Sequence, residues 1–414
     1  MSLAWEESLP ARIPRFVSPI VACIDQEERV IIVTENGVYC LSSQNGDIIW
    51  HYPSVRGTYT PACVGNYLFI PAAESLVCLD LETGQRRWIN ILDASIAGHL
   101  TIAPGPPGIY WLYLLAGKRL YAFNVSGQLL WQSTDLGPGF ENQGAAVDDS
   151  GYIYIVTLGS VLGWYDYRIY KFNAAGGLIW VDERLFFEPG GARMSPTIGA
   201  DGKIYFGLVY AFGWSSSLYA YHSNGELEWR KTDDAGLAYS SPAVNDSMII
   251  YCAYGRSASF VRRLDTAGNL IIWSYPTNIR YSSPAITGNG WIVYGTGDGK
   301  FQILGSGGEL IYQYDCGDSL VSPAIGRDGI YIAGGRKVFK FAATGVALSE
   351  KNAEKNAQQH WPSLFTGSSL EKSPEIFDVS GRIVSGKGNL PAGIYFIRIN
   401  PDGKQIRARV VVVR

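Results

Sequence analysis

Side chains able to do chemistry are few and scattered in this 414-residue chain. The four histidines, His51, His99, His222 and His360, lie far apart, and no two share one element at a metal-ligand spacing. No nucleophile elbow, phosphate-binding glycine loop, dinucleotide fingerprint or EF-hand pattern occurs. The six cysteines are Cys23, Cys40, Cys63, Cys78, Cys252 and Cys316, and none adjoins another. Cys40 and Cys78 fall in a slot that Ala122 and Ala220 fill elsewhere, which predicts small buried residues. Cys23 and Cys40, like Cys63 and Cys78, fall on strands with another strand between them, which argues against a disulfide in either pair. Asp201-Gly202 and Asp328-Gly329 read as hairpin turns and not as metal ligands. No catalytic residue and no metal site are predicted.

Binding is better represented than catalysis. Two segments, TLGSVLGWYDYR (157–168) and GLVYAFGWSSS (207–217), read as long loops and repeat an apolar-Gly-Trp step. They carry Trp164 and Tyr165, and Tyr210, Phe212 and Trp214. The connection ERLFFEPGGAR (183–193) adds Phe186, Phe187 and Arg193. Flat aromatics on loops suit sugar rings, peptide side chains or a partner surface. The competing arrangement has these loops packing on one another or receiving the C-terminal tail.

The elements that must position these residues follow from composition and repeats. Charged residues are 17% of the chain, while Gly (48), Tyr (26) and Trp (12) are abundant. That profile suits short, turn-punctuated strands with aromatic packing and argues against a helical bundle. The net charge of −3 supplies no basic field for nucleic acid, and no uninterrupted apolar run is long enough to span a membrane. The start, Met-Ser-Leu-Ala-Trp-Glu-Glu, lacks the basic and apolar segments of a signal peptide, which leaves a cytosolic chain or the mature form of an exported one.

A repeat is plain. Trp50, Trp88, Trp131, Trp180, Trp229 and Trp273 recur, with Tyr312 in the next slot, at gaps of 38, 43, 49, 49, 44 and 39 residues. Ser/Thr-Pro recurs ahead of the first strand of most units, at Pro19, Pro61, Pro196, Pro242, Pro284 and Pro323. Eight units of four short strands at this period predict an all-β fold, an eight-bladed β-propeller of four-stranded antiparallel blades over 1–348. Blade eight has no tryptophan of its own. LAWEES (3–8) resembles the outer-strand pattern IIWHYP (48–53), so the N-terminal strand is expected to complete that blade.

In this architecture the residues just ahead of the inner strands ring the mouth of the central channel: Arg15, Tyr59, His99, Arg193, Tyr239, Arg280 and Tyr281. Arginine and tyrosine converging there would suit an anion or polar ligand. The alternative is ordinary plugging of the channel by water and side-chain hydrogen bonds.

The segments LDLETGQRRW (79–88) and LDTAGNLIIW (264–273) resemble the Trp-docking motif of PQQ-type, quinoprotein-like eight-bladed propellers. The same repeat builds alcohol dehydrogenases, outer-membrane assembly lipoproteins and other exported proteins, so the resemblance implies a fold before a function. The dehydrogenases stack their quinone on a vicinal Cys-Cys disulfide and hold calcium nearby. No Cys-Cys pair exists here, which disfavours PQQ with calcium, and no cofactor is expected.

Beyond the propeller, 349–375 reads as a linker whose ALSEKNAEKNAQQ (347–359) is the one candidate helix. The segment 376–414 is a small basic C-terminal β segment. Its strands are predicted over 376–384, 390–399 and 405–413. It resembles the terminal half of a type IX secretion sorting domain, through IFDVSGR, LPAGIY and a closing basic-apolar strand. It holds seven Lys/Arg and two acids, a surplus of +5 that leaves −8 for the rest. The expectation is a non-catalytic, exported binding or assembly module of the cell envelope, periplasmic, surface-borne or extracellular. It is expected to act as a monomer on a protein partner or an oligosaccharide or peptide ligand. The alternative is an oxidoreductase or lyase with its site at the channel mouth.

Overall fold

Strands of two to nine residues alternate with tight turns along almost the whole chain. The computed structural model describes residues 1–24, 27–105, 109–137, 144–161, 164–183, 190–191, 195–210, 216–233, 236–237, 240–254, 259–268, 270–279 and 281–342. It also describes the strands Glu375–Phe377, Gly393–Ile399 and Ile406–Val412. By contacts the chain divides into two compact units, Met1–Ala103 with Tyr110–Trp361, and Pro104–Ile109 with Pro362–Arg414. The expected helix, linker and turn between 347 and 374 lie outside the described residues.

The first unit is an eight-bladed β-propeller, and no helix occurs among the described residues. Blade 1 is typical. Its inner strand Ile20–Ile24 pairs with Glu27–Thr34, which pairs with Gly37–Ser42 and then with the outer strand Ile48–Tyr52, all antiparallel. Blade 8 draws on both ends of the unit. Ala324–Ile325, Gly329–Gly334 and Lys337–Ala342 are followed in space by Ser2–Ser8, whose Glu6 pairs with Phe339.

Both faces of the two middle strands are covered by neighbouring blades, so those strands are largely apolar. Ile31, Ile32, Val33, Val38, Cys40 and Leu41 are wholly buried in blade 1. The core is therefore a ring of clusters between blades. One joins Val30 and Ile32 to Leu68 and Ile70 of blade 2 and to Tyr331 and Val338 of blade 8. Others repeat this between successive blades, for example Tyr154 and Val156 with Phe206 and Tyr219.

Each outer-strand tryptophan locks its blade to the next one. Six indole N–H groups donate to a backbone carbonyl of the following blade: Trp5 to Ser43, Trp50 to Leu81, Trp88 to Val125, Trp131 to Ala174, Trp180 to Ser223 and Trp273 to Ser306, at 2.8–3.1 Å. The ring lies flat on a turn glycine of that blade. A Cβ at Gly84 would stand 2.6 Å from the Trp50 ring, and φ there is +71°, so only glycine fits without strain. Tyr312, in the tryptophan slot of blade 7, instead meets Phe341 of blade 8 edge-on at 6.0 Å.

The Ser/Thr before each inner-strand proline has a role that its small size does not announce. The N–H of Ser18 donates to Thr60 Oγ1, Gly144 to Ser195 Oγ, Ser195 to Ser241, Ser241 to Ser283 and Ser283 to Ser322, at 2.7–3.2 Å. A hydroxyl belt thus joins blade to blade near the axis, satisfying N–H groups that lie ahead of the short inner strands.

Outside, the two residues before the tryptophan slot are exposed and apolar in five blades: Ile48–Ile49, Leu129–Leu130, Leu178–Ile179, Ile271–Ile272 and Leu310–Ile311. All six cysteines are free, and burial pushes the thiols of Cys40, Cys63, Cys78, Cys252 and Cys316 up to about 12. The second unit holds one antiparallel sheet in the order 375–377, 393–399, 406–412.

Candidate functional site

In a four-stranded meander the hairpin between the second and third strands emerges at the same end as the blade-to-blade connection. At that end, three segments line an open cleft of about 560 Å3. Pro14 and Phe16 come from the connection between blades 8 and 1, Glu35 from the middle hairpin of blade 1, and Arg56, Gly57, Thr58 and Tyr59 from the connection to blade 2. Gly57 is there for packing and not for the ligand, because a Cβ would run into Val33 of blade 1.

Of the seven residues expected at the channel mouth, Arg15, Tyr59, His99 and Tyr281 are described, while Arg193, Tyr239 and Arg280 lie outside the described residues. The four form two pairs. Arg15 reaches the Tyr281 hydroxyl at 3.5 Å with its guanidinium 5.5 Å from the ring centroid, and Phe16 meets the same ring edge-on at 5.6 Å. Tyr59 meets His99 edge-on at 5.5 Å.

His99 is held neutral. Burial pushes its pKa down to about 4, and Nδ1 accepts the Thr60 N–H at 3.3 Å, where a serine hydroxyl would serve in most other blades. An imidazole so placed braces the wall and is poorly suited to carry a proton near neutral pH.

The aromatic segments of blades 4 and 5 differ from the expected loops. In blade 4 the second and third strands, Ile153–Val161 and Trp164–Phe172, stay paired from Ile153↔Phe172 out to Val161↔Trp164. Trp164 and Tyr165 therefore lie on a long hairpin arm, where β-branched and aromatic residues and continuous ladder bonds outweigh the cost of Gly159. In blade 5 the strands run Ile204–Tyr210 and Ser216–Tyr221, so Tyr210 ends a strand. The connection that enters blade 5 adds a short strand there, with Gly190 opposite Tyr210 and Gly191 opposite Val209. Phe186, Phe187, Phe212 and Trp214 lie outside the described residues.

Sequence reasoning missed the cations that stand opposite the docking tryptophan on the third strand. Lys171 and Trp180 both donate to Ser223 O, Arg263 and Trp273 to Ser306 O, and Lys340 and Trp5 to Ser43 O. Lys340 is 5% exposed and also pairs with Asp328 at 2.7 Å. The signal was in IYKFN (169–173), VRRLD (261–265) and VFKFA (338–342), where a long cation replaces the small residue of other blades.

All six cysteines are free and non-adjacent, and among the described residues no group of three or more His, Cys, Asp or Glu is placed to hold a metal ion.

Comparison with known proteins agrees with the geometry. The family described as PQQ_2, outer membrane protein assembly factor BamB, matches residues 2–100. No curated protein matches the chain. Among solved structures, BamB from Moraxella catarrhalis aligns with a TM-score of 0.63 at 16% identity, covering 84% of this chain and 98% of that one. The computationally designed Ika8 protein aligns with a TM-score of 0.59 at 12% identity, covering 83% of this chain and all (100%) of its own. A natural and a designed protein sharing one architecture at these identities carry the fold and not the chemistry. The chain is an eight-bladed β-propeller whose residues 2–100 match the PQQ_2 family model.

Proposed function

We propose that this protein is a non-catalytic binding or assembly module of the cell envelope, engaging a protein partner through the aromatic hairpins of blades 4 and 5. The observation that carries the reading is the likeness of residues 2–100 to an outer membrane assembly factor, on an eight-bladed propeller. The long blade 4 arm ending at Val161↔Trp164, beside the extra strand at Gly190–Gly191, supports the choice of face. Such a role places the protein in the periplasm, at the surface or outside the cell, with the basic segment 376–414 as an export signal of type IX kind.

Affinity capture from envelope extract with the full chain, followed by titration of each captured protein, tests the reading. Trp164→Ala with Trp214→Ala is expected to weaken the partner at least tenfold, about 1.4 kcal/mol. Unchanged affinity in the folded double variant would move the site elsewhere. Stabilisation by PQQ with calcium would replace the reading with an enzyme, and stabilisation by oligosaccharide would replace the protein partner.

A further inference from the structure

An open cleft lies between blades 1 and 2. We propose that it binds a short peptide presenting an apolar side chain between a cationic group and a carboxylate. Its volume of about 560 Å3 falls within the range of ligand pockets. Its apolar walls are Pro14, Phe16 and the Tyr59 ring. Both aromatic walls are braced by rings that are not part of the lining, Phe16 by Tyr281 at 5.6 Å and Tyr59 by His99 at 5.5 Å.

The hairpin carrying Glu35 is equally fixed. The Glu35 N–H donates to Arg12 O at 2.9 Å, Thr34 Oγ1 donates to Gly37 O at 3.0 Å, and Asn36 Oδ1 accepts from Thr34 Oγ1 and from the Tyr39 hydroxyl. A wall ordered before the ligand arrives lowers the entropic cost of binding.

Two solvent-exposed charges stand on this frame. The Glu35 carboxylate and the Arg56 guanidinium are exposed on the lining, and neither has an ion pair or side-chain hydrogen bond among the described residues. Arg56 matches a carboxylate, by two parallel N–H···O bonds, and Glu35 matches an ammonium or guanidinium. Opposite charges on one partly apolar lining favour a peptide over a sugar, whose hydroxyls have no use for a charge pair. The same chemistry comes from a free dipeptide, through its termini, or from a longer chain with basic and acidic side chains around an apolar one. The site is separate from the blade 4 and 5 face, so it stands or falls on its own.

Calorimetric titration of the full chain tests it with the free dipeptide Phe-Leu, its N-acetyl and C-amide forms, an end-blocked Lys-Phe-Glu tripeptide, and cellotetraose. Charged peptide is expected to bind saturably, with acetylation and amidation of the dipeptide each weakening it about tenfold. Glu35→Gln is expected to remove the penalty of acetylation, and Arg56→Gln that of amidation. Preference for the blocked tripeptide identifies a chain segment as occupant, and preference for the dipeptide a free peptide. Trp164→Ala with Trp214→Ala is expected to leave this binding intact. No saturation by either charged peptide at millimolar concentration overturns the proposal. So does binding indifferent to both charge substitutions, or binding of cellotetraose alone.

Discussion

The indole N–H of Trp5 donates to the carbonyl of Ser43 at 3.0 Å, tying the first strand of the chain to the third-to-fourth strand turn of blade 1. Lys340 donates to the same carbonyl at 2.8 Å. Three segments far apart in sequence thus meet on one oxygen, at the seam where the ring of blades closes.

Trp5→Ala is expected to destabilise the propeller by about 3–5 kcal/mol, read as a fall in the denaturant midpoint, because it empties the wedge at the seam and removes one of the two donors to the Ser43 carbonyl. Trp5→Phe keeps most of the packing and loses the hydrogen bond, so its cost should be smaller. Equal loss in both variants would show that the hydrogen bond, not the wedge, holds the seam.

Two glycines separate backbone strain from crowding. Gly84 has φ +71° and the Trp50 ring against its α-carbon, whereas Gly65 has φ +54° and open space, with nothing within 4 Å of where a Cβ would stand. Gly65→Ala is expected to cost about 1 kcal/mol from its backbone alone. Gly84→Ala adds displacement of the indole and should cost about 2–4 kcal/mol by thermal or denaturant melting.

The hydroxyl belt makes a prediction of its own. Ser283→Ala takes away the acceptor of the Ser241 N–H, a bond of 3.0 Å, with almost no change in volume. A part-buried donor left unpaired costs about 1–2 kcal/mol. Ser283→Thr keeps the acceptor and should stay close to the parent in chemical denaturation.

His99 gives the fold an acid-side sensitivity. Its pKa lies near 4 in the folded protein against an ordinary value of 6.5, so between those values the unfolded chain binds the proton and the folded chain resists it. The contribution is fully present above about pH 6.5 and is lost as pH falls toward 4, on the order of 2–3 kcal/mol. His99→Gln should flatten that part of the stability–pH curve, and the difference between variant and parent separates it from the carboxylates that titrate nearby. A parallel pair of curves would show that His99 titrates normally.

Most of the fold could be read from the residues that repeat. Trp50, Trp88 and Trp131 mark outer strands because an indole is needed where neighbouring blades diverge, and their spacing counts the blades. The link between LAWEES and IIWHYP pointed to the outer position that Ser2–Ser8 occupies in blade 8. What the residues hid was pairing across repeats. Ser241 and Ser283 look like spacers before proline, and only the ring geometry reveals that one caps the other. The segment 157–168 looked like loop because Gly159 and Gly163 punctuate it, yet ladder bonds carry the strands through to Val161 and from Trp164. The cavity was half visible: Tyr59 belongs to the expected ring around the channel, but Glu35 and Arg56 are ordinary loop charges until three separate segments are brought together.

The blade 8 seam also sets the order of events during synthesis. Strand Ser2–Ser8 is made long before its partner Lys337–Ala342. Until that partner is made, Ser2–Ser8 remains an unmatched edge while the blades between them accumulate. Closing a loop of that length is slow, and an open edge invites pairing with other chains. A chain truncated before Lys337–Ala342 is thus an open arc with Ser2–Ser8 unpaired, and the ring closes only once that strand is available.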